Sequence, residues 1–204
     1  MPRVKVARKS TSIDMTAMCD VAFLLLTFFI LTAKPRVEDP VPVDVPGSIK
    51  EIPIPDDGLI VLTVGEKKVF FTVDGNDVRK SVLQQMGEKY GVQFTPQEAE
   101  KFSVLPVFGV PIRQLKGFLA LDAEQKKGYQ QPGIPRDSIS DELFNWIRES
   151  RLAAKALHNT ELRISIKGDS KEEYPTIKDV IAILQRQEVN KFSLITTLRG
   201  AAKK

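Results

Sequence analysis

Asp20-Val21-Ala22-Phe23-Leu24-Leu25-Leu26-Thr27-Phe28-Phe29-Ile30-Leu31-Thr32-Ala33 is an apolar run opened by a single carboxylate. With the residues just before it, the stretch covers 13–33, which as a helix is roughly 31 Å long, about one bilayer core. A charged side chain at the centre of a membrane helix costs about 2.5–3.5 kcal/mol on insertion scales. A carboxylate retained beside such a run is therefore a candidate for proton or ion movement.

The rest of the chain reads differently. Of 204 residues, 42% are hydrophobic and 27% charged, the proportions of a folded domain. Only the N-terminal stretch departs from them, so the composition predicts one span and one globular domain of ordinary size. The net charge is +4, with Arg3, Lys5, Arg8 and Lys9 before the span and Arg199, Lys203 and Lys204 at the far end. No basic stripe with interleaved aromatics accompanies them, which argues against nucleic-acid binding; they read as solvated tails and topology signals. The one cysteine, Cys19, excludes an intrachain disulfide and reads as a small apolar residue in the helix.

Three readings compete for 13–33. A buried core helix fits poorly, because the segment is apolar nearly all round and lies between a basic tail and a proline-rich stretch. A cleaved signal peptide would use the basic residues, the apolar core and Leu31-Thr32-Ala33. Leu31 is too large for a cleavage site, and Asp14 and Asp20 are out of place before a signal core. An uncleaved anchor is the expectation. Four basic residues precede it, whereas Lys34 and Arg36 behind it are offset by Glu38 and Asp39. That bias puts residues 1–12 in the cytoplasm and the bulk of the chain outside.

The helix carries a polar stripe. At 100° per residue, Thr16, Asp20 and Thr27 fall within about 40° of one another. In lipid, these groups would be unsatisfied, so the stripe should face a protein or a water-filled path. The alternative is that Asp20, close to the helix start, snorkels to the inner headgroups.

Prolines at 35, 40, 42, 46, 53 and 55 make residues 34–57 an extended linker, able to reach some 60 Å over about 20 residues. It is either a passive tether or a strand-like segment in which Val41, Val43 and Val45 share one face. In the second case, Val41, Val43, Asp44, Val45 and Pro46 could pair with a partner's sheet edge.

Residues 58–204 predict a small α+β domain. Strands are expected at 59–64 and 69–73 around a turn at 65–68, then a helix from about Asp77 with Val78, Val82, Met86 and Tyr90 on one face and Gly91 at its end. Near the other end, 162–167 alternates as a half-buried strand. Pro175 starts a helix whose Ile177, Val180, Ile181 and Leu184 share a face, and 192–198 supplies a last strand. The fold class is thus one N-terminal transmembrane helix followed by ββα–helical insertion–βαβ, with helices on one sheet face. The insertion, about 91–160, should hold a helix from Pro111 with Ile112, Leu115 and Leu119 inward, broken over 128–135. Ser138 and Asp141 are read as a capping box for a second helix reaching about Leu157.

Nothing in this part assembles a catalytic set. His158 is the sole histidine and lacks a nucleophile elbow; it reads as a surface residue at a helix end. Trp146 reads as packing. Asp74-Gly75-Asn76-Asp77 lacks the rest of a calcium loop, and Gly168-Asp169-Ser170 is a plain loop. No cofactor or metal is expected, and no enzyme.

The segment Ile13-Asp14-Met15-Thr16-Ala17-Met18-Cys19-Asp20-Val21-Ala22-Phe23-Leu24-Leu25-Leu26-Thr27-Phe28-Phe29 resembles the N-terminal span of the ExbD/TolR family. There, a hydrophobic-Thr-Pro/Ala-x-x-Asp-Val pattern precedes a Leu/Phe-rich helix; Ala17 stands where many members have proline. Val41-Pro42-Val43-Asp44-Val45-Pro46 is similar to the family's Val-x-Val-x-Leu-Pro linker, with Val45 for leucine. The insertion has no counterpart in compact members, so the resemblance covers about two thirds of the chain. It implies that Asp20 is the protonatable group of an inner-membrane motor, with Thr27 lining the same face. It also implies a homodimer whose spans lie inside a ring of polytopic ExbB/TolQ-type subunits, passing proton motive force to a TonB-like protein. The alternative is a membrane-tethered periplasmic interaction module, TolR-like in envelope maintenance or a passive anchored binding domain. The energetics are adequate for a motor. One proton crossing about 150 mV yields roughly 3.5 kcal/mol, comparable to the cost of exposing a carboxylate to lipid.

Overall fold

The computed structural model describes residues 15–33, 40, 41, 43–48, 58–137, 139–170, 172 and 174–198. The chain divides into two compact units, Met1–Val37 and Glu38–Lys204.

In the first unit, α1 runs over Met15–Thr32. Along it, only Thr27 is partly covered, and every other side chain is exposed. At about 27 Å it is long enough and apolar enough to cross a membrane.

The second unit starts with β1 (Gly47–Ser48), β2 (Leu59–Gly65) and β3 (Lys68–Val73). β-Branched and aromatic residues dominate β2 and β3, and every residue of β2 except Val61 is buried, as expected of a central strand. The two strands form an antiparallel hairpin, closed by Glu66 and Lys67 at φ 53° and 60°. Two consecutive left-handed residues give the primed turn whose twist matches the flanking strands. β4 (Arg163–Gly168) and β5 (Phe192–Leu194) add in parallel, giving the strand order β3-β2-β4-β5. β6 (Thr197–Leu198) leaves this sheet and pairs in parallel with β1. The last strand expected over 192–198 is thus two short strands, because the chain turns away at 195–196 to meet the linker.

Among the described residues, six helices follow in this unit: α2 (Asn76–Tyr90), α3 (Pro96–Ser103), α4 (Ile112–Ala120), α5 (Ala123–Gly128), α6 (Glu142–His158) and α7 (Tyr174–Gln185). α2 buries Val78, Val82, Leu83 and Met86, and ends where Gly91 turns left-handed at φ 69°. α3 was not expected, yet Thr95-Pro96-Gln97-Glu98 announces it. The Thr95 hydroxyl accepts from the Glu98 amide at 3.3 Å, Glu98 accepts from the Thr95 amide at 2.8 Å, and Pro96 fills the first helical position. α4 follows the expected face, burying Ile112, Leu115 and Leu119, with Phe118 added.

The expected capping box at Ser138 and Asp141 is not what starts α6. Ser138 lies outside the described residues. Asp141 is itself the residue before the helix, at φ 47°, and its side chain caps nothing. Its carboxylate instead receives two bonds from Arg186, at 2.9 and 3.0 Å. The left-handed backbone at Asp141 turns the side chain away from the helix amides, and a long-range cation takes it.

The insertion is part of the core. One cluster joins Ile60, Leu62 and Val64 of β2 and Ile164 and Ile166 of β4 to Val82, Met86, Phe102, Phe108, Leu115, Leu119, Trp146 and Ile147. Trp146 is fully buried, and the rings of Phe108, Phe102 and Phe71 are centred 4.9, 5.8 and 6.0 Å from its own. Aromatic pairs at such spacings add to what area burial alone supplies.

Candidate functional site

The span residues singled out by the sequence lie on α1. The Thr27 hydroxyl donates to the Leu24 carbonyl at 2.9 Å, and Thr32 donates to Phe28 at 2.8 Å. Bonding back to the preceding turn lets a hydroxyl reside in an apolar helix without an outside partner. Asp20 has no such local solution: its carboxylate is exposed and forms no ion pair among the described residues. Thr16 and Asp20 are one helical turn apart, and Thr27 follows two turns beyond Asp20 on the same side. A shallow apolar groove lined by Val21, Leu24, Leu25, Thr27, Phe28 and Leu31 runs along the helix beside this stripe. Among the described residues, no cation or hydrogen-bond donor meets the Asp20 carboxylate.

The linker residues form a second group, within the folded unit. Val41 is buried, Val43 and Val45 are half-buried, and Asp44 and Pro46 are exposed. This alternation is that of a strand with one covered face. The covered face lies on the chain's own domain: Val43 and Val41 pack over Gly65, where an added Cβ would sit 3.3 and 3.6 Å from their methyl groups. The Asp44 carbonyl accepts from the Ser170 amide at 2.8 Å, and Gly47 and Ser48 pair with Thr197 and Leu198. The structure thus places the segment against the ends of β2, β4 and β6. The sequence reading offered a partner's edge and missed this internal one; the signal lay in Thr197-Leu198, a short β-prone stretch just past the last core strand.

Elsewhere the titratable groups act structurally. The His158 imidazole meets the Asp77 carboxylate at 2.7 Å on the surface. The Val78 amide, with His158 adding to it, holds the Asp77 carboxyl below its ordinary value. Burial pushes the Glu142 carboxyl up, although it accepts from the Ile112 amide at 2.9 Å and so ties the start of α4 to the start of α6. Burial likewise raises the Tyr90 phenol, which donates to the Ser140 carbonyl and accepts from Asn145. A groove of about 900 Å³ between α2 and α3 is lined by Leu83, Gly87, Val92, Phe94 and Ala99, with Lys80 and Glu88 at its rim. Among the described residues, no three metal-ligating side chains converge.

In comparison with protein families, residues 7–103 fit the family described as biopolymer transport protein ExbD/TolR. Neither the curated proteins nor the solved structures yield a match. The matched range is a little under half of the chain, less than the two thirds over which the resemblance was read. It takes in α1, the linker, the β2–β3 hairpin, α2 and α3, so it runs past Gly91, where the insertion was expected to begin. Members of this family are structural or transport subunits rather than enzymes. An ExbD/TolR family domain is therefore present over residues 7–103, and it includes a helix long and apolar enough to cross a membrane.

Proposed function

We propose that this chain is the carboxylate-bearing subunit of an inner-membrane motor that couples proton motive force to active transport across the outer membrane. The observation that carries this reading is the family match across a helix whose one acidic side chain, Asp20, lacks a partner among the described residues. In this reading, the N-terminus is cytoplasmic and residues 34–204 are periplasmic. Two copies insert their spans into a ring of ExbB/TolQ-like polytopic subunits, which supplies the polar surroundings that the Asp20 carboxylate needs. Apolar surroundings favour the neutral carboxyl, so Asp20 takes up a proton on one side and releases it on the other. The folded unit passes the resulting motion to a TonB-like protein.

Asp20→Asn keeps the size and polarity of the side chain but removes the titrating proton. A chromosomal Asp20→Asn strain should insert the protein and assemble the complex normally, yet lose energised uptake by at least tenfold. Uptake at the wild-type rate would refute the proposal.

A second reading is favoured by the docked linker: a membrane-tethered periplasmic interaction module, in which α1 only anchors the chain. Replacing residues 13–33 by an unrelated apolar helix separates the two. An anchored module retains its function after the exchange; a motor subunit loses it.

A further inference from the structure

Val69-Phe70-Phe71-Thr72-Val73 is wholly β-branched or aromatic, with no charge, proline or glycine. Such a segment at an open sheet edge is a template for pairing with another chain. It forms β3, and β3 is the outermost strand of the four-stranded sheet.

The chain covers this edge itself. Residues 67, 69, 71 and 73 direct their carbonyls away from β2, and each carbonyl is taken. Arg136 donates to Lys67 O at 2.8 Å, the Ile134 amide to Val69 O at 2.8 Å, the Phe108 amide to Phe71 O at 3.1 Å, and the Arg79 guanidinium to Val73 O. The Phe71 amide donates in turn to Phe108 O at 2.7 Å. Three of the five bonds are made through residues 108 and 134, and a fourth through Arg136, all from the chain between α3 and α6.

The cover is held from both faces of the sheet. On the helix side, the Phe108 ring packs against Phe71 and Trp146, with centroids 5.8 and 4.9 Å away. On the opposite side, Gly109 lies on the fully buried Phe70 ring, where an added Cβ would come within 2.2 Å of Cδ1. Gly109 is fixed by its amide donating to Gln131 Oε1 at 2.6 Å and by its carbonyl accepting from Gly133 at 2.7 Å. Phe108 and Gly109 together therefore clasp the strand from above and below. At the other edge of the sheet, β5 is only three residues long, itself a defence against pairing.

We propose that residues 104–136 are an edge guard: they occupy the β3 edge so that two copies of this chain, held close together in a membrane, cannot pair through it. This role rests on the two-copy arrangement proposed above but not on proton movement, and its test does not involve uptake.

The test uses the full-length protein in detergent. Gly109→Ala drives a methyl into the Phe70 ring and lifts the guard. The Phe71 amide should then exchange with deuterium at least tenfold faster than in the wild type, while Leu62 on the central strand stays unchanged. Sedimentation should show concentration-dependent species heavier than those of the wild type. Adding Thr72→Lys to Gly109→Ala puts a charge on the bared edge and should return the sedimentation profile to that of the wild type, a rescue that general unfolding would not give. A freely exchanging Phe71 amide with no added self-association overturns the proposal, and so does association that Thr72→Lys fails to suppress. Should Gly109→Ala not fold, the wild type alone decides: Phe71 exchanging as slowly as Leu62 supports a permanent guard, and exchange a hundredfold faster than Leu62 overturns it.

Discussion

Glu142 is 6% exposed and carries a carboxyl that burial pushes above its ordinary value, whereas Asp77 at the start of α2 is held below its own by the Val78 amide. Opposite shifts give opposite pH dependences. Above about pH 4.3, where glutamate ionises in the unfolded chain, the folded state binds the extra proton at Glu142, so this residue lowers stability as pH rises through that window. The gap in thermal midpoint between Glu142→Gln and the wild type should therefore move in the variant's favour between pH 3.5 and pH 7. Asp77 contributes stability that is complete above about pH 3.9 and is lost as pH falls through its lower folded value. Asp77→Asn should thus be less stable than the wild type at neutral pH and converge on it in acid. Thermal melts of both variants across this range, followed by circular dichroism, check the signs; a shift of the same sign for both would contradict the assigned causes. Neither environment could be read from the sequence. Glu142 is buried by α4, some thirty residues earlier, and Asp141 beside it looked like a helix cap until Arg186, 45 residues later, claimed its carboxylate. Asp20 stands out in the sequence because an acidic group next to an apolar run is a signal that needs no tertiary partner.

Elements governed by neighbouring residues were legible, and those governed by distant ones were not. The β2–β3 hairpin and α2 follow from β-prone runs and from Gly91 at a helix end. α4 follows from Pro111 and a 3.6-residue apolar period. The β1–β6 pair joins residues 47 and 48 to 197 and 198, with no local cue strong enough to reveal it. The hairpin offers the clearest test at this scale. Glu66 and Lys67 both have positive φ, where a side chain costs about 1 kcal/mol or more relative to glycine. Replacing Glu66 by Asn, which tolerates this conformation better, relieves part of that cost. It also removes the Glu66–Lys68 contact at 3.7 Å, an exposed pair worth a few tenths of a kcal/mol. Turn geometry wins. Glu66→Asn should stabilise the folded unit by about 0.5 kcal/mol, because the Glu172 bond to the turn reaches the Lys67 backbone amide and is left in place. Denaturant unfolding measures the gain; a loss of stability would mean that the turn is held in place by its side chains.

At the scale of the whole molecule, the family match and the folding unit have different boundaries. The match stops at residue 103, but β2, the central strand, has six parallel pairings with β4, from Leu59 with Arg163 to Val64 with Gly168. Its Ile60, Leu62 and Val64 share one core with Ile164, Ile166, Trp146 and Leu184, all beyond the match. A piece ending at 103 would keep one hairpin and two helices. It would leave the inner side of β2 unpaired and expose the face that Trp146 covers. Two strands with so little to cover them are marginal in water, and a unit of this size is marginal even when its core is complete. Residues 38–103 alone should therefore give no cooperative unfolding transition, whereas 38–204 should melt in one step with loss of Trp146 near-ultraviolet dichroism. A sharp transition in the shorter piece would mean that the matched half folds alone and that residues 104–198 pack around a finished domain. Its absence would mean that the later half completes a core that the first half cannot close alone, so that the match ends inside one cooperative folding unit.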